Sequence, residues 1–317
     1  MRIIQEPNSQ NGGTHLRKEV LLDGVKRKSG EAIGQFNAVL FLPQMMGVIE
    51  GGPEERRRYL NLALAQVISH YQEALAEYNK ALLQRNALLK QLYERKGDVS
   101  QLDYWDDQIA SYGAQLIHAR IRAVQELERL AARTHRELTH ANEVLRLSYQ
   151  PAYDPLPQTP GQFALPLNAA VDRAGFSQEQ IRKGFLDCLQ KLRLEEIARG
   201  ITTIGPHRDE LRLLANGIDL GTYGSRGQAR SALLALKIAE VAWMHTKSGH
   251  WPILLLDEVL AELDTQRRFD LLERLNQSEQ VLLSTTDLDL FTLEFVQKAT
   301  VWRVVGGRVE KNSSSES

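Results

Sequence analysis

PILLLDEVLAELD, residues 252–264, opens with a proline and four consecutive apolar side chains and then turns acidic. A short unbroken apolar run of this kind predicts a strand buried on both faces, in a parallel or mixed sheet covered by helices. Asp257 and Glu258 follow at its carboxyl end, where open α/β sheets gather their ligands. An acidic pair there suits nucleotide hydrolysis: the aspartate holds magnesium, and the glutamate orients or deprotonates the attacking water. The bland alternative is a buried strand whose last carboxylate caps the next helix.

The surroundings favour the first reading. GSRGQ, residues 224–228, precedes a helical apolar pattern, and a serine flanked by glycine at a helix start offers backbone N–H groups and a hydroxyl to an anion. Residues 261–264 form a second polar turn, and QVLLSTT at 280–286 predicts another buried strand ending in hydroxyls. Signature loop, helix, acidic strand, AELD turn and polar-ended strand follow the order of ATP-binding cassette ATPases of the chromosome-maintenance class. The expected fold class is therefore α/β, an ABC-type head of the P-loop NTPase kind.

With 317 residues, 43% hydrophobic and 25% charged, the chain can hold one large or two modest domains. No apolar run is long enough to span a membrane, and residues 1–20 carry no signal-peptide core. The single Cys188 excludes an intrachain disulfide framework and a zinc cluster, which fits a reducing cytoplasm. A net charge of −1 means that any DNA contact relies on local basic patches.

Along the chain, residues 1–15 are expected to be loose. Residues 16–29 read as two strands around an Asp23-Gly24 hairpin turn, and residues 38–42 as a further buried strand. Lys26, Arg27 and Lys28 on that hairpin suit either a phosphate backbone or a solvated face. GGPEERRRYLN, residues 51–61, starts a helix with Pro53 in its first turn and Glu54 and Glu55 at the positive end of the dipole. Arg56, Arg57 and Arg58 then suit either a phosphate or ion pairs with a neighbouring lobe. Tyr71, Leu75, Tyr78, Leu82, Arg85, Leu89 and Leu92 recur at helix-pair spacing, as do Ile117, Val124, Ala131 and Leu138. They predict an antiparallel pair turning near Gly97-Asp98. Periodicity alone does not separate a protruding arm from a hairpin packed on a globular lobe.

Residues 145–149 alternate as a strand, and Pro151, Pro155, Pro157 and Pro160 mark a loop. Ser177 with Gln180 predicts a capping box and a helix from residue 178, and the basic bias of residues 182–199 raises a DNA-facing option. ITTIGPHRDELRLLANG, residues 201–217, predicts strand, polar turn, strand and an Asn216-Gly217 turn. His207 finds no nucleophile or partner carboxylate in the sequence, so His207 and Arg208 read as structural or phosphate-neighbouring. A helical segment after Thr286, edge strands around a glycine turn and a disordered tail at 312–317 complete the chain.

Three separated motifs resemble the RecF family of bacterial DNA replication and repair proteins: PQMMGVIEGGPEERRRYLN (43–61), GPHRDEL (205–211) and LLLDEVLAELDTQRR (254–268) behind SRGQ. The family more often carries acidic residues at Gln44 and Asn61, glutamine at Arg226 and aspartate at Glu258. The resemblance implies a head lobe with the ATP site and a helical second lobe. It further implies ATP-dependent homodimerisation, DNA binding, an SOS-related role and work with RecR and RecO to load recombinase at gaps. Asp257 then corresponds to the magnesium-associated Walker B carboxylate and Glu258 to the hydrolytic one. Ser225, Gly227 and Gln228 correspond to signature residues contacting nucleotide in trans, Asp264 to the D-loop, and Thr286 and Asp287 to the segment sensing γ-phosphate. Arg56, Arg57, Arg58, His207 and Arg208 are candidate DNA or phosphate contacts.

No G-x-x-x-x-G-K-[ST] phosphate loop occurs in the sequence, whereas family members carry one near the amino terminus. ATP and Mg2+ are cofactors of the complete family protein; for this chain, binding is expected to be weak or absent and ATP hydrolysis defective. The expectation is an amino-terminally incomplete head: residues 1–50 a β-rich remnant, 51–200 a helical lobe with an arm over about 60–140, and 201–311 the rest of the head. A non-enzymatic DNA-binding scaffold is the alternative.

Overall fold

The computed structural model describes residues 2–7, 14–27, 29–156, 172–275 and 278–311. The first half runs β1 (Arg2–Pro7), β2 (Thr14–Leu22), β3 (Val25–Arg27), β4 (Ala38–Phe41), α1 (Gly47–Glu50), α2 (Pro53–Val67), α3 (Tyr71–Tyr93), α4 (Leu102–Leu138) and β5 (Leu145–Gln150). Next come α5 (Gln178–Arg199), β6 (Glu210–Ala215), β7 (Ile218–Asp219), α6 (Leu220–Tyr223), α7 (Arg226–Ser248) and β8 (Ile253–Asp257). The chain ends with α8 (Thr265–Leu275), β9 (Val281–Ser284), α9 (Leu293–Lys298), β10 (Trp302–Val305) and β11 (Arg308–Lys311).

The apolar run at 253–256 is the middle strand of a parallel sheet ordered β4-β8-β9. Leu254 and Leu256 are buried with Val39 and Phe41, in one apolar cluster that includes Leu236 and Ala239 of α7 and Leu271 of α8. The expectation of two buried faces is corrected. On the other face Leu40 pairs with Leu255 and Leu255 with Leu282, and Leu40 and Leu282 are 38% and 52% exposed. Among the described residues helices cover only one side, so β9, expected to be buried, is a half-exposed edge strand.

Asp23 and Gly24 at φ of 50° and 79° make the two-residue turn between β2 and β3. Residues 1–15 are not wholly loose. Arg2–Pro7 pairs antiparallel with β2, which is the middle strand of a sheet ordered β1-β2-β3. Residues 201–204 form no strand, because Thr202 and Thr203 spend their polar groups on Asn86 and Glu196 instead of a ladder. Lys28, Pro157, Pro160 and the tail at 312–317 lie outside the described residues.

The helix pair does not project as an arm. α4 packs on α3, α5 and α7, and its seam residues Ile117, Val124, Ala131 and Leu138 join the same cluster as β4 and β8. One core therefore runs across the boundary expected near residue 200. Arg85 in the α3 seam is fully buried and answered by Asp106 at 2.7 Å and Glu196 at 2.7 Å. Ser177 and Gln180 form the expected capping box at the start of α5.

Candidate functional site

β8 delivers Asp257 to the sheet's carboxyl edge, where the side chain is exposed and Oδ1 accepts a hydrogen bond from the Ser284 hydroxyl at the end of β9. Asp257 Oδ2 has no hydrogen bond to any described residue. Glu258 follows at φ 55°, ψ 12°, in the left-handed region that a residue with a Cβ rarely adopts. Its backbone N–H donates to the Ser284 carbonyl at 3.3 Å, which pins the turn. After β9, the Thr285 hydroxyl and Asp287 backbone bond reciprocally, and Asp287 caps the Asp289 N–H at 2.8 Å. Thr286 and Asp287 are exposed beside this edge. Parallel pairing of β8 with β9 thus joins Asp257, Glu258 and Ser284 at one strand end.

Ser225 and Gln228 cap α7 as a reciprocal pair. Ser225 Oγ accepts from the Gln228 N–H at 3.2 Å, and Gln228 Oε1 accepts from the Ser225 N–H at 2.9 Å. Gly227 lies in the first turn, leaving the helix start open to solvent. The Gln228 side-chain amide donates to Glu143 at 2.9 Å. Glu143 in turn lies 3.5 Å from Nε2 of His135, a fully buried imidazole whose pKa is lowered by burial. Glu143, Gln228, Ser231, Asp264 and Arg267 line one open cavity of about 440 Å3. Asp264 accepts the Arg267 backbone N–H at 2.9 Å, the main cause of its lowered pKa. Glu143 escaped the sequence reading because its partner is 85 residues away.

GGPEERRRYLN and GPHRDEL prove to be each other's partners. Arg56 binds both oxygens of Glu210, at 2.7 and 2.8 Å, and Arg57 donates to the Asp209 carbonyl at 2.9 Å. Arg120 of α4, buried, donates to the Asp209 carboxylate at 2.7 Å, to the Pro206 carbonyl at 2.6 Å and to Asn61 at 3.0 Å. Tyr149 and the Ala152 N–H complete the Asp209 shell. His207 accepts from the Tyr78 hydroxyl at Nδ1 (2.7 Å), and its Nε2 lies 3.3 Å from the Thr202 carbonyl, as in a neutral ring protonated on Nε2. Burial, helped by Arg208, Arg57 and Arg120, lowers its pKa to about 4. Gly205, at φ 121°, admits this packing, since a Cβ there would stand 2.5 Å from the Tyr78 hydroxyl. Arg56 thus has the ion pair that the sequence reading weighed against a phosphate contact. Arg58 is exposed, and Arg208 is largely solvent-facing.

No family model matches the chain. Curated relatives do. The DNA replication and repair protein RecF of Chloroflexus aurantiacus is 39% identical over 298 residues, 92% of this chain and 72% of that protein. RecF of Chloroflexus aggregans is 38% identical over 317 residues, 98% of this chain and 76% of the relative. The chain belongs to the RecF family. A solved structure described as the recombination mediator protein RecF with ATPrS in the RecFOR pathway superposes with a TM-score of 0.77 at 29% identity, covering 96% of this chain and 74% of that one. A RecF–ATP structure gives 0.75 at 28%. The mixed α/β fold with its packed helical insertion is accordingly the RecF fold.

RecF relatives solved with ATP raise the question of metal. Among the described residues no group of three His, Cys, Asp or Glu side chains could hold an ion by itself. Magnesium does not require one, because it is commonly bound through one or two carboxylates plus phosphates and water. An exposed Asp257, oriented by Ser284 and with Oδ2 unengaged, fits that requirement.

Proposed function

We propose that the chain acts in DNA replication and recombinational repair as a RecF-type subunit whose nucleotide site is shared between two copies. Asp257 and Glu258 of one copy and Ser225, Gly227 and Gln228 of the other face the same ATP. The observation carrying this reading is that Gln228 and Asp264 line one open groove, while Ser225 and Asp257 share no hydrogen bond among the described residues. A signature helix start beside a D-loop carboxylate is then free to meet a second subunit.

Magnesium, when bound with the phosphates, neutralises charge that develops on the transferred phosphoryl group. Asp257, oriented by the Ser284 hydroxyl, would be the carboxylate that holds it. Glu258 takes the proton of the attacking water, or orients that water, through its carboxylate. Ser225 Oγ accepts the Gln228 N–H and keeps its own proton to donate to a γ-phosphate oxygen. The positive end of α7 adds to that attraction. Thr286 and Asp287 respond to the γ-phosphate next to the acidic edge. Residues 1–317 include no phosphate-loop sequence, so their own grip on ATP is weak. Dimerisation on ATP, DNA binding, and cooperation with RecR and RecO in loading recombinase at gaps, in the cytoplasm and during the SOS response, complete the reading.

Sedimentation velocity of the chain with millimolar ATPγS and Mg2+ tests it. A nucleotide-dependent dimer that Asp257→Ala abolishes is expected. A chain that stays monomeric at every nucleotide concentration yet binds DNA would favour a non-enzymatic DNA-binding scaffold instead.

A further inference from the structure

Folding commits most of the arginines that looked available for a nucleic acid. Arg56, Arg57 and Arg120 serve the Asp209–Glu210 turn, and Arg193 serves Asp103 and Asp106. Arg182 is held by Glu179 and Asp107. One row is left. Arg122, Arg129, Arg133 and Arg136 are all exposed on α4, at steps of seven, four and three residues that place them along a single side of the helix. The opposite side is the core, with Val124, Leu127, Ala131 and Leu138 buried.

The row is straight and rigid, spanning about 21 Å at ~1.5 Å per residue. Arg122, Arg129 and Arg136 donate no hydrogen bond to any described residue, and Arg133 makes only a 3.3 Å exposed pair with Glu137. The bordering carboxylates are already answered. Glu126 accepts from the Trp243 indole at 2.7 Å and pairs with Lys247 at 2.7 Å. Glu137 pairs with Arg274 at 2.5 Å, and Asp172 is reached by the Gln125 amide at 3.4 Å. Lys247 and Arg274 thereby offset the two carboxylates on this flank and leave the row's own charge largely uncompensated. The helix dipole rationalises cations at Arg133 and Arg136 in the last turns but offers nothing to Arg122 and Arg129 in mid-helix.

We propose that this face of α4 is a binding surface for the phosphate backbone of duplex DNA, with Arg122, Arg129, Arg133 and Arg136 as the contacts. It rests on the DNA-repair reading above and adds the place where the DNA lies. Guanidinium forks match phosphate oxygens two at a time, and a regular row of them matches a backbone with regularly spaced charge. A chain with a net charge of −1 needs such a local row to bind DNA at all.

Fluorescence anisotropy of a labelled random-sequence duplex, titrated with the full chain over a range of KCl, tests the surface. The variants are the quadruple Arg→Gln set at 122, 129, 133 and 136 and the quadruple Arg→Lys set, each first matched to the parent by thermal melting. The Gln set should bind at least about ten-fold more weakly near 0.1 M salt and lower the slope of log affinity against log salt by about 3 to 4. The Lys set, which keeps the charge, should retain most of the affinity and the slope. Parent-like binding and slope in the Gln set overturns the surface while leaving DNA binding intact. Absence of duplex binding by the parent overturns both.

Discussion

The Arg120 guanidinium and the Asp209 carboxylate meet at 2.7 Å with side chains 2% and 1% exposed. Around them close Asn61 and Arg57 of α2, Tyr71 of α3, Tyr149 of β5 and the Pro206 carbonyl. Asn61 is a neutral acceptor, so among the described residues Asp209 alone supplies negative charge hydrogen-bonded to Arg120. Removing one partner of a buried pair strands the other, at a cost of about 3 to 5 kcal/mol. Asp209→Asn should therefore destabilise the chain by that order, read from urea unfolding midpoints. A loss under about 1 kcal/mol would mean that water reaches Arg120 and that the network does not organise the lobe.

His207 sets a pH dependence of stability. Its folded pKa is about 4, well under the ~6.5 of an unfolded histidine, because burial disfavours the charged ring and Arg208, Arg57 and Arg120 add to that, against the opposing hydrogen bond to the Thr202 carbonyl. The unfolded chain therefore takes up the proton first as pH falls. Stability contributed by the neutral ring is complete above pH ~6.5 and is lost progressively down to about pH 4, by roughly 3 kcal/mol at ~1.4 kcal/mol per unit. Urea midpoints of the parent and His207→Gln should converge as the pH is lowered through this window. Parallel curves would show that His207 is solvated and titrates normally.

Local chemistry was legible in the sequence, and long-range chemistry was not. The Asp23-Gly24 turn, the Ser177–Gln180 capping box, the helix start at Ser225 and the apolar strand before Asp257 each depend on residues within a few positions, and each is present. Arg56 and Glu210 are 154 residues apart, so no local pattern could pair them. The burial of strands 253–256 and 281–284 failed for a related reason: an apolar run says that a strand can be covered, while only tertiary neighbours decide whether it is. The α4 arginine row did leave a signal, a repeat of seven offset from the apolar seam.

Glu258 offers a way to separate strain from chemistry. A non-glycine residue in the left-handed region costs on the order of 1 to 2 kcal/mol relative to a relaxed backbone, and glycine escapes that cost. At φ 55° beside Asp257, Glu258→Gly should leave stability unchanged or raise it by about 1 kcal/mol while deleting the carboxylate. Glu258→Val should be the less stable of the two, since a β-branched side chain fits this region poorly. Differential scanning calorimetry of both variants decides it: a Gly variant less stable than the Val variant would mean that the turn is not held as described.

Ser225 carries two roles that one substitution can pull apart. As N-cap of α7 its hydroxyl oxygen accepts the Gln228 N–H, and losing a serine cap costs about 1 kcal/mol. Ser225→Ala should show that loss in thermal melting. Aspartate is as good a cap as serine and favours the positive end of the helix dipole, so Ser225→Asp should melt with the parent. The same carboxylate would repel a γ-phosphate presented by a second subunit. Nucleotide-dependent dimerisation in sedimentation velocity should therefore vanish in Ser225→Asp while its melting temperature holds. Dimerisation at parental strength in that variant would remove Ser225 from the nucleotide site and leave it a helix cap.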